Sequence, residues 1–131
     1  MDNLKNLRAR CISTVLEYCY ENGFRPYVWV EVDAGCVVPQ EFVQEGMIIF
    51  DLDGEAVRNQ VLDDDLLRFE ARFGDDPDPM EVVVPVCRIV HVAPVNEVDE
   101  GASFQTRPTP PELVARATGK EPVIRRPMRI K

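Results

Sequence analysis

The 131-residue sequence has few of the side chains from which metal sites are built. It contains one histidine, His91, and four cysteines, none of which forms a CxxC pair. Structural metal sites usually draw on closely spaced cysteines and histidines. We therefore interpret the cysteines as small buried apolar side chains in a reducing compartment, rather than as a metal set or a disulfide framework, and expect no metal or other cofactor.

Sequence patterns of known catalytic sites are also missing. The chain has no GxSxG, P-loop, GxGxxG or HExxH pattern. The acidic turn at Asp51, Asp53 and Gly54 is too short for a calcium loop, which needs about twelve residues. His91 lies inside a strand pattern with no nucleophile pattern beside it, so a structural histidine is the preferred interpretation and a catalytic base the alternative. We do not expect an enzyme.

Long apolar runs are absent as well. No stretch approaches the ~20 apolar residues that span a bilayer. The first residues, Met1 to Lys5, lack the basic region and apolar run of a signal peptide. These two absences predict a cytoplasmic protein that does not enter membranes.

What the sequence does have is charge, and it is divided unevenly. Residues 1–105 hold 8 Lys and Arg against 21 Asp and Glu, a difference of −13, whereas residues 106–131 hold 7 against 2, a difference of +5. An acidic body repels phosphates, so nucleic acid is not expected as the main partner. A basic tail on an acidic body indicates that the tail has a separate task.

Residues 66–94 read as three consecutive strands. Leu67, Phe69, Ala71 and Phe73 alternate with polar residues, which is the period of a half-buried strand. Gly74 and the acidic, proline-rich run after it form a turn, and two further short strands follow, which end at prolines. Ala71 is small between two phenylalanines and should leave a depression, which could be a packing site or a ligand groove.

The remaining pattern places one helix before the strands. Apolar residues recur at helical spacing over residues 3–22, with Asp2 or Asn3 as the N-cap and Asn22-Gly23 as the stop. Strands are predicted at 27–33 and 47–52, with at most one helical turn between them, and residues 55–62 read as irregular. The strand at 47–52 is apolar on both faces, which predicts a central or ligand-lined position.

Helix-then-strands order predicts an α+β fold, in which an N-terminal helix precedes a small antiparallel sheet or Sm-like barrel. Residues 1–105 would form this domain, with a short edge strand near residues 101–104. Residues 106–122 contain several prolines and read as a flexible linker, and residues 123–131 as a short cationic-apolar peptide. One face of the helix can pack on the sheet; the rest could pair with a second copy, and packing on its own sheet alone is an equal alternative.

Several short stretches together resemble one family. They are Val37-Val38-Pro39, Glu41-Phe42, Gly46, Ile48-Ile49-Phe50 and the RFEARFG segment at 68–74. This set is similar to the stringent starvation protein B (SspB) family, whose members are specificity-enhancing adaptors of the ClpXP protease. The terminal RPMRIK also resembles the family's ending. The tail departs from that of some members in being short and basic, and the loop at 95–100 differs.

The resemblance implies an adaptor that binds the ssrA degradation tag of stalled-translation products and delivers them to ClpXP. It implies a homodimer through the N-terminal helix and docking of the tail on the N-terminal zinc-binding domain of ClpX. The tag groove would involve Ile48, Ile49, Phe50, Phe69, Ala71, Arg72 and Phe73. The docking peptide would be Val123, Ile124, Arg125, Arg126, Pro127, Met128, Arg129, Ile130 and Lys131. The dimer face would contain Leu4, Leu7, Cys11, Val15 and Tyr18.

One alternative of another class stays open, a small-barrel RNA-binding protein. The short strands and the basic tail favour it. The acidic body, and strands without interleaved surface aromatics and basic residues, speak against it.

Overall fold

The computed structural model describes residues 3–120. It begins with helix α1, Leu7–Glu21, whose N-cap is Asn6: the Asn6 side chain accepts a hydrogen bond from the Ala9 N–H. The prediction of Asp2 or Asn3 as the cap was wrong. The Asp64 carboxylate accepts hydrogen bonds from the N–H groups of Lys5 and Asn6, at 2.7 and 2.8 Å, and so holds this segment outside the helix. The predicted stop is confirmed, with Asn22 as C-cap and Gly23 at φ +69°.

Seven strands follow within the described residues, and every strand pair among them is antiparallel. They are β1 Pro26–Glu31, β2 Met47–Asp51, β3 Val57–Leu62, β4 Leu66–Ala71, β5 Met80–Pro85, β6 Ile89–Pro94 and β7 Ala102–Ser103. One sheet has the order β2-β1-β6-β7 and the other β3-β4-β5. The turn between β1 and β2 carries a single turn of 3-10 helix, Gln40–Phe42, as expected.

Both sheets and α1 share one apolar core. From α1, Ile12 and Leu16 are fully buried, and from the sheets the rings of Phe50 and Phe69 meet edge to face at 5.2 Å between centroids. The predicted α+β class is confirmed, as are the three strands within residues 66–94 and the short edge strand near residue 102. Buried Leu67, Phe69 and Ala71 alternate with more exposed neighbours in β4, as their spacing predicted.

Strand β3 lies in the segment that was predicted to be irregular. Only its two ends, Val57 and Leu62, are buried. Between them Asn59 has φ +54°, and the register against β4 shifts between Arg58 and Val61. This bulge breaks the alternation from which a strand is recognised in a sequence.

Strand β2 is an edge strand, which excludes the first of the two predicted positions, central or ligand-lined. Ile48 and Phe50 point into the core, whereas Ile49 points outward and is 52% exposed. Two apolar faces did not mean two buried faces, because one of them is open to solvent.

The segment predicted as a flexible linker contains a second helix, α2, Pro111–Thr118. Proline at its first turn has no N–H to satisfy, and Gly119 ends it at φ +71°. Ala117 is buried with Leu66 and Val83. The prediction was wrong because it treated the prolines as incompatible with a helix. A proline in the first turn of a helix is well tolerated.

Candidate peptide-binding groove

An open groove of about 840 Å³ runs beside strand β2. We call it the β2 groove. Three predicted tag-binding residues line it: Ile48, Ile49 and Phe73. Four further residues complete the wall, namely Phe42, Gln44, Glu45 and Met47. Apolar side chains predominate, and Glu45 is the one ionisable residue among the seven that line the groove.

The main chain of β2 offers hydrogen-bonding groups at the edge of the sheet. The N–H of Val32 donates to the carbonyl of Gly46, and the N–H of Leu52 donates to the carbonyl of Pro26, at 2.8 and 2.9 Å. Main-chain groups of a strand alternate in direction, so those of Ile48 and Phe50 face β1 while those of Ile49 face the open edge. An extended peptide can therefore pair with β2 at Ile49.

Aromatic rings support the groove from below. Phe73 lies 6.0 Å from the ring of Phe42 and 6.0 Å from the ring of Phe50, and Phe50 contacts buried Phe69. Phe50 and Phe69 are 3% and 1% exposed. These two predicted tag-binding residues are buried, and the Phe50 ring supports Phe73 from the core side.

The other two predicted residues, Ala71 and Arg72, line a second and smaller depression of about 320 Å³. We call it the Ala71 depression. It is bordered by the side chains of Arg58 and Glu70 and by the turn before β3. Ala71 of the depression and Phe73 of the β2 groove are two residues apart in the chain.

Phe42 was quoted only as part of the family pattern, and Met47 only as the start of a strand. Phe42 is 44% exposed although it is a large apolar residue. The sequence signal that could have revealed it is its place just before Gly46, which has φ +76° and turns the chain from Phe42 back into β2.

Helix α1 presents two faces. Ala9, Ile12, Leu16 and Cys19 are buried against the sheet. Of the predicted dimer residues, Leu7 and Tyr18 are 76% and 45% exposed, and Cys11 is half-buried. Leu4 is buried, and Val15 packs against the core of its own chain. The helix thus packs on its own sheet, and the exposed face is narrower than predicted because Leu4 is not part of it.

His91 has a structural environment. Its Nδ1 lies 2.6 Å from the Ser103 hydroxyl, its Nε2 lies 2.7 Å from the Val98 carbonyl, and its ring meets Trp29 edge to face. The Val98 carbonyl can only accept, so Nε2 donates to it, and Nδ1 forms a second hydrogen bond with the Ser103 hydroxyl. His91 therefore joins β6 to β7 and to the turn between these strands, in agreement with the preferred structural interpretation.

All four cysteine thiols are free, and Cys19 and Cys36 are buried. Burial raises the pKa of the Cys36 thiol to about 11. Within residues 3–120, no group of three or more histidine, cysteine or acidic side chains is placed to hold a metal ion. The same part of the chain has no helix long and apolar enough to cross a membrane.

Fold and groove together define a class: a small two-sheet α+β domain whose open edge strand borders an apolar groove, the geometry that strand addition requires. The family model described as Stringent starvation protein B matches residues 4–125. The chain belongs to this family, which is an adaptor family.

A curated relative agrees. The chain is 36% identical over 67 residues to a Stringent starvation protein B homolog from Haemophilus influenzae. The match covers 50% of this chain and 45% of the relative, so the chain matches less than half of that protein's length. The predicted docking residues 123–131 lie outside the described residues.

Proposed function

We propose that this protein is a cytoplasmic protease adaptor that binds the ssrA degradation tag and delivers tagged proteins to the ClpXP protease. The observation that carries the proposal is the exposed edge of β2 beside the β2 groove. Ile49 offers an N–H and a carbonyl to an extended chain, and Phe73 offers an apolar surface next to it. A bound tag would add one strand to the sheet and place alternate side chains in the groove.

The Ala71 depression would hold a further side chain of the tag. Ala71 lines the depression and is 8% exposed, and Arg72, which also lines it, would donate to polar groups of the peptide. A larger residue at position 71 would fill the depression. We expect Ala71→Gln to weaken tag binding at least tenfold without unfolding the domain.

Delivery would depend on a second contact. Residues 123–131 would dock on the N-terminal zinc-binding domain of ClpX, so that two weak contacts in one complex act as a strong one. A dimer, joined through Leu7, Cys11 and Tyr18 of α1 in each copy, would have two such tails. Leu7→Asp should then give a monomer in sedimentation equilibrium, and an unchanged mass would exclude this face.

The experiment is a fluorescence anisotropy titration of a labelled ssrA-type peptide with the full-length protein, Ala71→Gln and a chain ending at residue 122. We expect saturable binding by the full-length and shortened chains and strongly reduced binding by Ala71→Gln. In a degradation assay with ClpXP, the shortened chain should fail to deliver. Equal tag affinity of a folded Ala71→Gln protein would contradict the role of the depression, and no binding by any variant would contradict the proposed function.

A further inference from the structure

Residues 106–118 cross the body and are held there by polar contacts; we call this segment the strap. The Thr109 N–H and hydroxyl both donate to the Asp33 carboxylate, at 3.0 and 2.8 Å. The Arg107 N–H donates to the Cys87 carbonyl at 3.0 Å, and the Thr106 hydroxyl donates to the Glu31 carboxylate. Four main-chain and side-chain donors of the strap are thus satisfied by the body.

Arg88 fastens the same region from the body side. Its side chain is 13% exposed. It donates to the Glu31 and Arg107 carbonyls, both at 2.9 Å, and its Nε lies 3.4 Å from the Asp33 carboxylate. One guanidinium therefore links β1, the loop after it and the strap.

Packing contacts also hold the strap on the body. A Cβ added at Gly35 would lie 2.8 Å from the Thr109 Cβ, so the strap rests directly on the Gly35 backbone. Farther along, Ala117 is buried with Leu66 and Val83, and Arg116 pairs with the carboxylates of Asp63 and Asp65. The strap is part of the folded body up to Thr118.

We propose that the strap remains docked during delivery and sets the point from which the docking peptide leaves the body. This inference rests on the proposed function. With the strap docked, residues 119–122 separate α2 from residue 123, and four residues reach at most ~14 Å. With the strap released, the 17 residues from 106 to 122 would reach at most ~60 Å. The strap therefore holds a bound tag close to the unfoldase.

The expected consequence is a change in effective concentration. For a connection that can span its sites, the effective concentration falls roughly as the −3/2 power of connection length. Lengthening the connection from 4 to 17 residues should lower it up to about ninefold. Released variants should need correspondingly more adaptor for half-maximal delivery, with unchanged affinity for the isolated tag peptide.

Two variants release the strap and one locks it. Ala117→Asp introduces a charge against Leu66 and Val83, and Gly35→Ala pushes Thr109 outward from below. For the lock, the Cys87 Sγ lies 3.8 Å from the Thr109 Oγ1, so Thr109→Cys brings two thiols together. Oxidised glutathione converts them to a disulfide and is itself reduced to two thiols. Reduced Thr109→Cys and oxidant-treated Thr109→Ser are the matched controls.

Hydrogen exchange of the Arg107, Thr109 and Leu113 amides first verifies release or locking, and ClpXP degradation of a tagged substrate then measures delivery. We expect the locked protein to deliver like its reduced form and the released variants to be several-fold weaker. Loss of delivery on locking, or full delivery by a variant whose strap exchanges freely, would overturn the proposal. Absence of delivery by the unmodified protein, whose tag binding is titrated separately, would instead refute the proposed function on which it rests.

Discussion

The β2 groove and the strap are two surface regions built in opposite ways. In the groove, apolar side chains such as Ile49 and Phe42 are 52% and 44% exposed, and main-chain groups of β2 face solvent. In the strap, the Thr106 hydroxyl, the Arg107 N–H and both the N–H and the hydroxyl of Thr109 have acceptors on the body. A surface with unused contacts can receive a ligand, whereas one with satisfied contacts holds its own chain in place.

The difference also separates what each region contributes to stability. Ile49 can change with little effect on folding, because exposed side chains usually contribute within about 0.5 kcal/mol. Arg88 should tolerate change less well, because its largely buried guanidinium donates to the Glu31 and Arg107 carbonyls and pairs with the Asp33 carboxylate. Mutations should therefore divide into those that affect binding and those that affect docking of the strap.

The largest effect is expected for Arg88→Met. Loss of the guanidinium leaves two carbonyls and the Asp33 carboxylate without this partner, which we expect to lower the free energy of unfolding by about 2–4 kcal/mol. Urea denaturation measures this loss of unfolding free energy. Arg25→Met is the matched control: Arg25 pairs with Asp51 but its side chain is 56% exposed, and such pairs contribute about 0–1 kcal/mol. Equal losses of unfolding free energy in the two variants would contradict the claim that Arg88 holds the strap more firmly than an exposed ion pair would.

Lowering the pH is expected to have a smaller effect on stability. Burial raises the pKa of Asp33, but donors from Thr109 and Gly35 and the charge of Arg88 outweigh it and hold the pKa below its usual range. A carboxyl with a lowered folded-state pKa stabilises the fold above its unfolded pKa of about 3.9. That stabilisation is lost as pH falls through the lower, folded-state pKa.

The thermal midpoint should therefore decrease as the pH is lowered from about 5 to about 2. The decrease should be less steep in Asp33→Asn. Part of the slope should persist in that variant, because hydrogen bonds and Arg116 likewise outweigh burial and lower the pKa of Asp63. Identical slopes for the two proteins would show that Asp33 does not fasten the strap through its charge. Thermal scans followed by circular dichroism provide the measurement.

Elements whose apolar residues recur at a regular spacing were predicted correctly from the sequence. The alternation through Leu67, Phe69 and Ala71 predicted β4, and the helical spacing in α1 predicted its extent to within a few residues. Both patterns arise from burial of one face, which sequence records directly. The resemblance supplied the predicted tag-binding residues as one set, but it could not show how they divide between the β2 groove, the rings that support it and the Ala71 depression.

Elements stabilised by contacts distant in sequence were missed. Strand β3 has a bulge at Asn59, and α2 is a short helix whose stability comes from Leu66 and Val83 of the body. The strap depends on Asp33, 76 positions before Thr109. Local composition there indicates a linker, and only tertiary contacts turn it into structure.

Ile49→Asp and Val61→Asp provide the most direct test of the account. Ile49 lies on the edge beside the β2 groove and Val61 lies on β3 in the other sheet; they are 52% and 55% exposed, so the same charge costs each strand a similar amount. Anisotropy titration of an ssrA-type peptide should show at least a tenfold loss of affinity for Ile49→Asp and none for Val61→Asp, with similar thermal midpoints. Unchanged affinity for Ile49→Asp, or equal losses for both, would contradict binding at the edge of β2.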